Sequence, residues 1–374
     1  MSSPQDHPRR ILLVVTGLSP QVVTETLWAL TVGAEPARRF VPTEIHVLTT
    51  RAGAERIRLQ LLSDEPGWFG RLRQDYALPP MAFDSEHVHV ARDAAGRPLD
   101  DIRNAEDSEA VGDFIMEWVR RLTEDPQAAV HASIAGGRKT MGFYLGYALS
   151  LFGRPQDRLS HVLVDAPYES LPDFFYPASE ERVVFDRNNN PLDASQAHVW
   201  LADIPFVRLR EGLPRRLTEG EAGFAETIAA AQRAQQPPRV VVDLDRGQIV
   251  ASGEAVHLPP ADLAFYAMMA RRRLRGKHAL HPGRFDPDEY LDEYQRIEQA
   301  RHDTMHQTLE SMADKPDEQR EWFNQRRSRV NGKLNRTLGE PLAKAYLIHA
   351  QGQRPSTRYG LTLDLDAIEI IDTD

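Results

Sequence analysis

Two short runs in the first half of this 374-residue chain combine residue types suited to holding phosphate. The first is Thr16-Gly17-Leu18-Ser19-Pro20, which ends a β-branched apolar segment and leads at once into a helical pattern. Ser19 suits an N-cap and Pro20 the first helical position, where its missing N–H costs nothing. Gly17 permits a tight turn. The positive end of the helix then faces the carboxyl edge of a strand, where anions are favoured, and Thr16 and Ser19 add hydroxyls. The same run is equally complete as a strand-to-helix turn with no ligand. The second run is Ala135-Gly136-Gly137-Arg138-Lys139-Thr140. Its two glycines allow bare backbone near a ligand, and Arg138 and Lys139 put positive charge at the start of a helix. It is not a Walker A loop, because Arg138 stands where the second glycine of that motif belongs. Gly17 likewise opens no G-x-G-x-x-G fingerprint, which speaks against a dinucleotide cofactor.

The elements that position these runs alternate. Expected strands are Ile11–Val15, Glu44–Thr50, His87–Ala91, Ala129–Ala135, Ser160–Asp165 and a run near Val199–Leu209. Amphipathic helical stretches lie between them at Pro20–Thr31, Arg51–Leu62, Ser108–Glu124 and Thr140–Phe152. Near-continuous apolar strands alternating with helices predict an α/β fold with a Rossmann-like, doubly wound, mostly parallel sheet. Both runs then fall at the carboxyl edge of that sheet, where such folds bind ligands.

Composition narrows the chemistry. The chain has no cysteine, which excludes disulfides, thiolate metal sites and a cysteine nucleophile. No H-E-x-x-H or strand-end Asp-x-Asp pattern suggests a metal, so neither metal nor cofactor is expected. No apolar run reaches the roughly 18–20 residues of a membrane span, and the N-terminus lacks a signal-peptide pattern, so a cytoplasmic location is expected. The net charge of −10 argues against a general nucleic-acid coat. Basic residues still cluster at Arg271, Arg272, Arg273, Arg275 and Lys277, and again at Arg326, Arg327, Arg329 and Lys333, as a phosphate-binding face or as a solvated helix face.

The Thr16–Leu27 run, Thr-Gly-Leu-Ser-Pro-Gln-Val-Val-Thr-Glu-Thr-Leu, and the Gly136–Met141 run, Gly-Gly-Arg-Lys-Thr-Met, together resemble the CRISPR-associated Rossmann-fold (CARF) family, most closely its ring-nuclease branch. The resemblance covers roughly the first 210 residues. It implies a homodimer that binds a cyclic oligoadenylate, the tetra-adenylate in the first instance, across its two-fold axis. It also implies metal-independent cleavage to linear products ending in a 2′,3′-cyclic phosphate, which switches the signal off. On this resemblance Lys139 stabilises charge on the phosphate and Ser19 positions the 2′-hydroxyl or the phosphate. Thr16, Gly17, Leu18, Gln21, Gly136, Gly137, Arg138 and Thr140 are binding contacts. Tyr168 and Phe174-Phe175-Tyr176 could stack on adenine, although such aromatics more often pack a core or an interface.

From Leu213 the chain turns polar, and residues 211–238 read as a helical linker ending in Pro237-Pro238. Residues 239–374 then suggest a smaller α+β, winged-helix-like domain with a helical insertion. Its layout is a hairpin at Val240–Ala251, a helix at Pro260–Arg273, a recognition-type helix at Arg327–Leu338 and a wing at Tyr346–Leu363. Such a domain binds DNA through its helix or serves dimerisation. A rival reading rests on Arg301 and His306, whose spacing resembles the motif of HEPN ribonucleases. Arg273 and His278 share that spacing, so a ligand-gated ribonuclease and a ligand-regulated DNA-binding regulator both stay open.

Overall fold

The structure, a computed structural model, describes residues 3–169, 171–218, 220, 223–277, 279–284, 286–298, 301–312, 314–353 and 356–372. The chain divides into two compact units, Met1–Arg210 and Glu211–Asp374.

In the first unit β1 (Arg9–Val15), α1 (Gln21–Thr31), β2 (Glu44–Thr49), α2 (Arg51–Ile57), α3 (Trp68–Asp75), β3 (Val88–Val90), α4 (Ala105–Glu124), β4 (Ala128–Ser133), α5 (Lys139–Phe152) and β5 (Arg158–Val164) follow in turn. A hairpin of β6 (Val183–Phe185) and β7 (Pro191–Asp193) precedes β8 (Val199–Asp203). Among the described residues the main sheet has the order β3-β2-β1-β4-β5-β8. All of its pairs are parallel except β5 with β8, which run antiparallel. The expected parallel, doubly wound sheet is therefore present, with one antiparallel edge.

The strand sequences explain this arrangement. Ile11–Val15 and all of β4 are buried, as strands covered by helices on both faces must be. Connections from β1 run to β2 on one side, whereas β4 continues to β5 on the other. The seam between β1 and β4 is thus the switch point of the sheet, and a crevice opens beyond its carboxyl end. Helix α5 turns Met141, Leu145, Leu149 and Phe152 to the core, as its apolar spacing predicts. The turn from α5 to β5 is locked by Arg154, whose guanidinium binds the buried Asp157 at 2.9 Å and the Ala128 carbonyl at 2.9 Å.

One expectation changes, and the choice left open for the aromatics after β5 falls to packing. The last strand ends at Asp203 rather than near Leu209, where Ile204-Pro205 follows and proline disfavours continued ladder pairing. The aromatics after β5 are core residues: Phe174, Phe175 and Tyr176 are at most 1% exposed. Phe175 stacks on Trp68 at 4.8 Å, and the Tyr176 hydroxyl donates to Asp75 at 2.8 Å, so these rings tie the segment to α3. Tyr168 is also buried and packs on Phe174. Adenine stacking on them is excluded by burial.

The second unit opens with α6 (Arg215–Thr218) and α7 (Phe224–Ala234). It continues through β9 (Val240–Asp243), β10 (Gln248–Ala251), β11 (Glu254–His257), α8 (Pro260–Leu274), α9 (Pro287–Ile297), α10 (His302–Glu310), α11 (Pro316–Leu338), α12 (Glu340–Ala343), β12 (His349–Gln351), β13 (Arg358–Gly360) and β14 (Ile368–Ile371). The sheet order is β11-β10-β9-β14, with β14 parallel to β9, and β12 pairs with β13 as a separate hairpin. Helix α8 is buried along Leu263–Ala270 and forms the centre of the core, as a helix apolar on every side must. The expected recognition helix is the second half of the longer α11, with Val330, Leu334 and Leu338 fully buried. Residues 354 and 355 of the expected wing turn lie outside the described residues.

One buried group on α1 gives a test of the core. Glu25 is 8% exposed, and burial, helped by Glu169, pushes its carboxyl up to about 8. A carboxyl with a raised folded value favours the neutral form, so stability falls as pH rises from about 4.5 to about 8 and then levels. At about 1.36 kcal/mol per unit, Glu25→Gln should stabilise the protein by roughly 3 kcal/mol at pH 7 and by almost nothing at pH 4. Denaturant titrations at both pH values check this, and parallel pH profiles for the two proteins would refute it.

Candidate functional site

The loop after β1 is built on its own hydrogen bonds. Thr16 is fully buried and its Oγ1 donates to the Ser19 carbonyl at 2.9 Å. It therefore shapes the turn. The cap of α1 falls on Pro20, one residue later than expected, with no side-chain cap bond. Ser19 is thereby exposed, and its hydroxyl has no hydrogen-bond partner among the described residues. Leu18 is 55% exposed. Gln21 turns away, its amide donating to the Pro172 carbonyl at 3.0 Å.

The loop after β4 packs directly against the first. A Cβ on Gly136 would lie 2.8 Å from Thr16 Oγ1, 2.9 Å from Val22 Cγ2 and 3.0 Å from the Val15 carbonyl oxygen. Gly136 is thus demanded by the neighbouring loop. Gly137 has φ +83°, a left-handed conformation that glycine adopts without strain. Beside it, a Cβ on Gly17 would come to 3.4 Å from the Gly137 Cα. Gly53, which sequence reasoning missed, supports Gly17 from below: its own Cβ would lie 2.6 Å from the Gly17 carbonyl oxygen.

These loops wall a cleft of about 610 Å³ lined by Gly17, Leu18, Ser19, Gly137, Arg138 and Met141, with Thr50, Arg51, Ala52, Glu55, Asp100, Asp101 and Arg103 opposite. Its charge is balanced, with Arg51, Arg103 and Arg138 against Glu55, Asp100 and Asp101. Arg51 Nε meets Asp100 Oδ1 at 2.5 Å, and Arg138 bridges both oxygens of Asp101. Hydrogen bonds from these guanidiniums hold both carboxyls below their usual range. The acidic loop before α4 was not singled out in the sequence; Asp100-Asp101 ahead of a capping Asn104 was the available signal. Lys139 and Thr140 are exposed at the first turn of α5 but do not line this cleft. Lys139 has no ion pair among the described residues.

The other sequence candidates stay apart. In the second unit the basic clusters are largely consumed internally: Arg271 binds Glu293 and Asp372, Arg272 and Lys277 share Glu289, and Arg326 binds Asp262 at 2.8 Å. Arg327 lies over the Tyr359 ring. Arg301 precedes α10 and His306 lies beside Glu310 at 3.5 Å. Five helical positions place two side chains about 140° apart around an axis. His278 lies outside the described residues.

The packing of the two loops generates a prediction. Gly136→Ala forces β1 and β4 apart at their carboxyl ends and should destabilise the protein by about 1–3 kcal/mol. The Cm of urea unfolding checks it, and an unchanged Cm would show that the loops have room to spare.

Among the described residues no helix is long and apolar enough to cross a membrane. No curated protein matches the chain. Among solved structures, Csm6 of Enterococcus italicus bound to cyclic hexa-2′-fluoro-hexa-dAMP is similar at 11% identity and a TM-score of 0.26. That match covers 88% of this chain and 60% of the Csm6 chain, and at this score it bears on neither fold detail nor function. The family model described as CRISPR-associated protein NE0113 matches residues 19–237, which include the second loop, the first loop from Ser19 onward and more than half of the sequence. The chain belongs to this CRISPR-associated family.

Proposed function

We propose that the cleft beyond β1 and β4 binds a cyclic oligoadenylate and that the protein cleaves it as a ring nuclease. The observation that carries this reading is one cleft at the sheet's switch point that joins Ser19, bare backbone at Gly17 and Gly137, and three arginines. Phosphates are held by such a combination of guanidinium and backbone N–H groups near a helix N-terminus. Membership in a CRISPR-associated family is consistent with it.

In the proposed reaction a ribose 2′-hydroxyl attacks the adjacent 3′ phosphorus, and the bond from phosphorus to the 5′ oxygen breaks. The 2′-hydroxyl proton is lost, the departing 5′ oxygen gains one, and a 2′,3′-cyclic phosphate and a 5′-hydroxyl result. No metal is required, because the nucleophile belongs to the substrate and needs mainly to be held in line. Ser19 positions the attacking hydroxyl, and Lys139 offsets charge on the phosphate oxygens.

A second copy of the chain completes the site in this reading. Lys139, Phe143 and Tyr147 follow at helical spacing along one stripe of α5, and Phe143 is 61% exposed. A homodimer formed on that stripe brings two Lys139 side chains towards one ring, matching a two-fold interface to a cyclic ligand.

Incubation with cyclic tetra- and hexa-adenylate in EDTA, with products resolved, tests the proposal. Linear 2′,3′-cyclic phosphates are expected; ligand-stimulated cleavage of a separate RNA, or a stable ligand that alters DNA binding, would replace it with another function. Ser19→Ala and Lys139→Ala should bind the ring yet cleave it about 100-fold more slowly, and unchanged single-turnover rates would remove both residues from the mechanism. Because Asp101 occupies the guanidinium of Arg138, a phosphate must displace it. Asp101→Asn should therefore tighten ligand binding severalfold in equilibrium titrations, whereas weaker or unchanged affinity would show that Arg138 stays with the loop.

A further inference from the structure

The other end of β2 gathers a separate set of donors. Glu44 and His46 are two residues apart on the strand, so their side chains share one face. His87, just before β3, folds onto them, and one ligand atom from each of the three lies within 4.8 Å of the others. All three side chains are largely buried, at 17%, 11% and 19% exposure. From Glu44 to the cleft residue Thr50 is about 20 Å along an extended strand, so this is a distinct place on the sheet.

The hydrogen bonds around the set engage Nδ1 of each of the two histidines. His46 Nδ1 and His89 Nε2 are 2.9 Å apart and share one proton. His87 Nδ1 lies 2.8 Å from Asp84 Oδ1 and 3.4 Å from the Asp84 backbone nitrogen; donation along the shorter contact, to the carboxylate, leaves Nε2 as a lone pair. His46 Nε2 is buried with no hydrogen-bond partner and stands 3.5 Å from Glu44 Oε2. Glu44 meanwhile offers Oε1 to Arg9 at 2.5 Å, which keeps Oε2 turned towards the imidazole. With Nδ1 donating to His89, His46 Nε2 faces the Glu44 carboxylate as a lone pair, an arrangement that a cation held between the two relieves. The outer partners repeat a known pattern, in which a metal-bound histidine donates its other nitrogen to a carboxylate or a second acceptor that fixes its orientation. His89 stacks at 3.7 Å on Trp118, which holds that outer layer in place.

We propose that Glu44, His46 and His87 form a binding site for one divalent transition-metal ion, zinc being the best matched. Two imidazoles and one carboxylate suit zinc and its first-row neighbours rather than calcium or magnesium, which take oxygen ligands. Tetrahedral donors at metal distances of about 2.0–2.1 Å stand about 3.4 Å apart, so a small side-chain rotation closes the set, and water fills the fourth position. The ion clamps the start of β2 to the segment entering β3, near the edge of the sheet. It takes no part in the proposed ring cleavage, and that reaction remains insensitive to chelators while the fold's stability does not.

The test uses the full chain, stripped with a chelator and titrated with cobalt(II) and with zinc(II). One equivalent of cobalt per chain with visible d–d absorption of a tetrahedral site is expected, together with a zinc-dependent rise in Tm. His87→Gln should lose both, and Asp84→Asn should weaken binding about tenfold through the orientation of His87. Since Glu44 also holds Arg9, His87→Gln rather than a Glu44 variant carries the test, with the metal-free Tm of each variant checked against the parent. No d–d absorption and no Tm shift in the parent would show that a proton alone bridges Glu44 and His46, and would overturn the proposal. Equal cobalt binding by His87→Gln would overturn it as well.

Discussion

The close approach of the two loops at the carboxyl ends of β1 and β4 is the constraint on which the first unit depends. Parallel neighbours in a sheet lie about 4.8 Å apart, so two loops leaving adjacent strands at a switch point must cross in very little space. Glycine at 17, 136 and 137 is what lets them do so, with Thr16 closing its own turn beneath. One wall of the cleft follows from that crossing. Ser19 is lifted clear because Thr16 holds its carbonyl, and Arg138, following the positive φ of Gly137, reaches Asp101 in the segment before α4.

The balance of charge in the cleft has its own logic. Three arginines beside one another repel, and Asp100 and Asp101 supply compensating charge. These pairs are exposed, and exposed ion pairs hold weakly, so a polyanion with several phosphates can displace them at small cost. Arginine suits such an exchange, since the same planar fork serves carboxylate and phosphate. The second unit treats its arginines differently. There α8 is wrapped by apolar partners, and the guanidiniums at its end and along α11 anchor acidic side chains of neighbouring helices, so the basic clusters are part of the packing.

The mixed donor set at the other end of β2 belongs to the same sheet by a different route. A strand that alternates faces places Glu44 and His46 together automatically, but His87 arrives only because β3 pairs in parallel with β2. The two ends of one short strand thus carry unlike chemistry: guanidinium and backbone suited to anions at one end, imidazole and carboxylate suited to a cation at the other.

Local sequence determined much of this protein by itself. Apolar β-branched runs alternating with amphipathic helices were enough for the parallel sheet, and the Thr16–Pro20 and Gly136–Thr140 runs were enough to locate the loops at its carboxyl edge. Periodicity and turn chemistry are local properties, written in a few adjacent residues. Only the tertiary structure decided which of those residues line the cleft. Thr16 and Gly136 are held by the packing of the two loops and the aromatics at 174–176 by the core, whereas Arg51, Asp100 and Asp101 reach the cleft from segments far away along the chain. The reason is that strand pairing joins residues tens of positions apart, and neither the space a glycine must leave nor the partner an arginine finds is encoded in its neighbours along the chain.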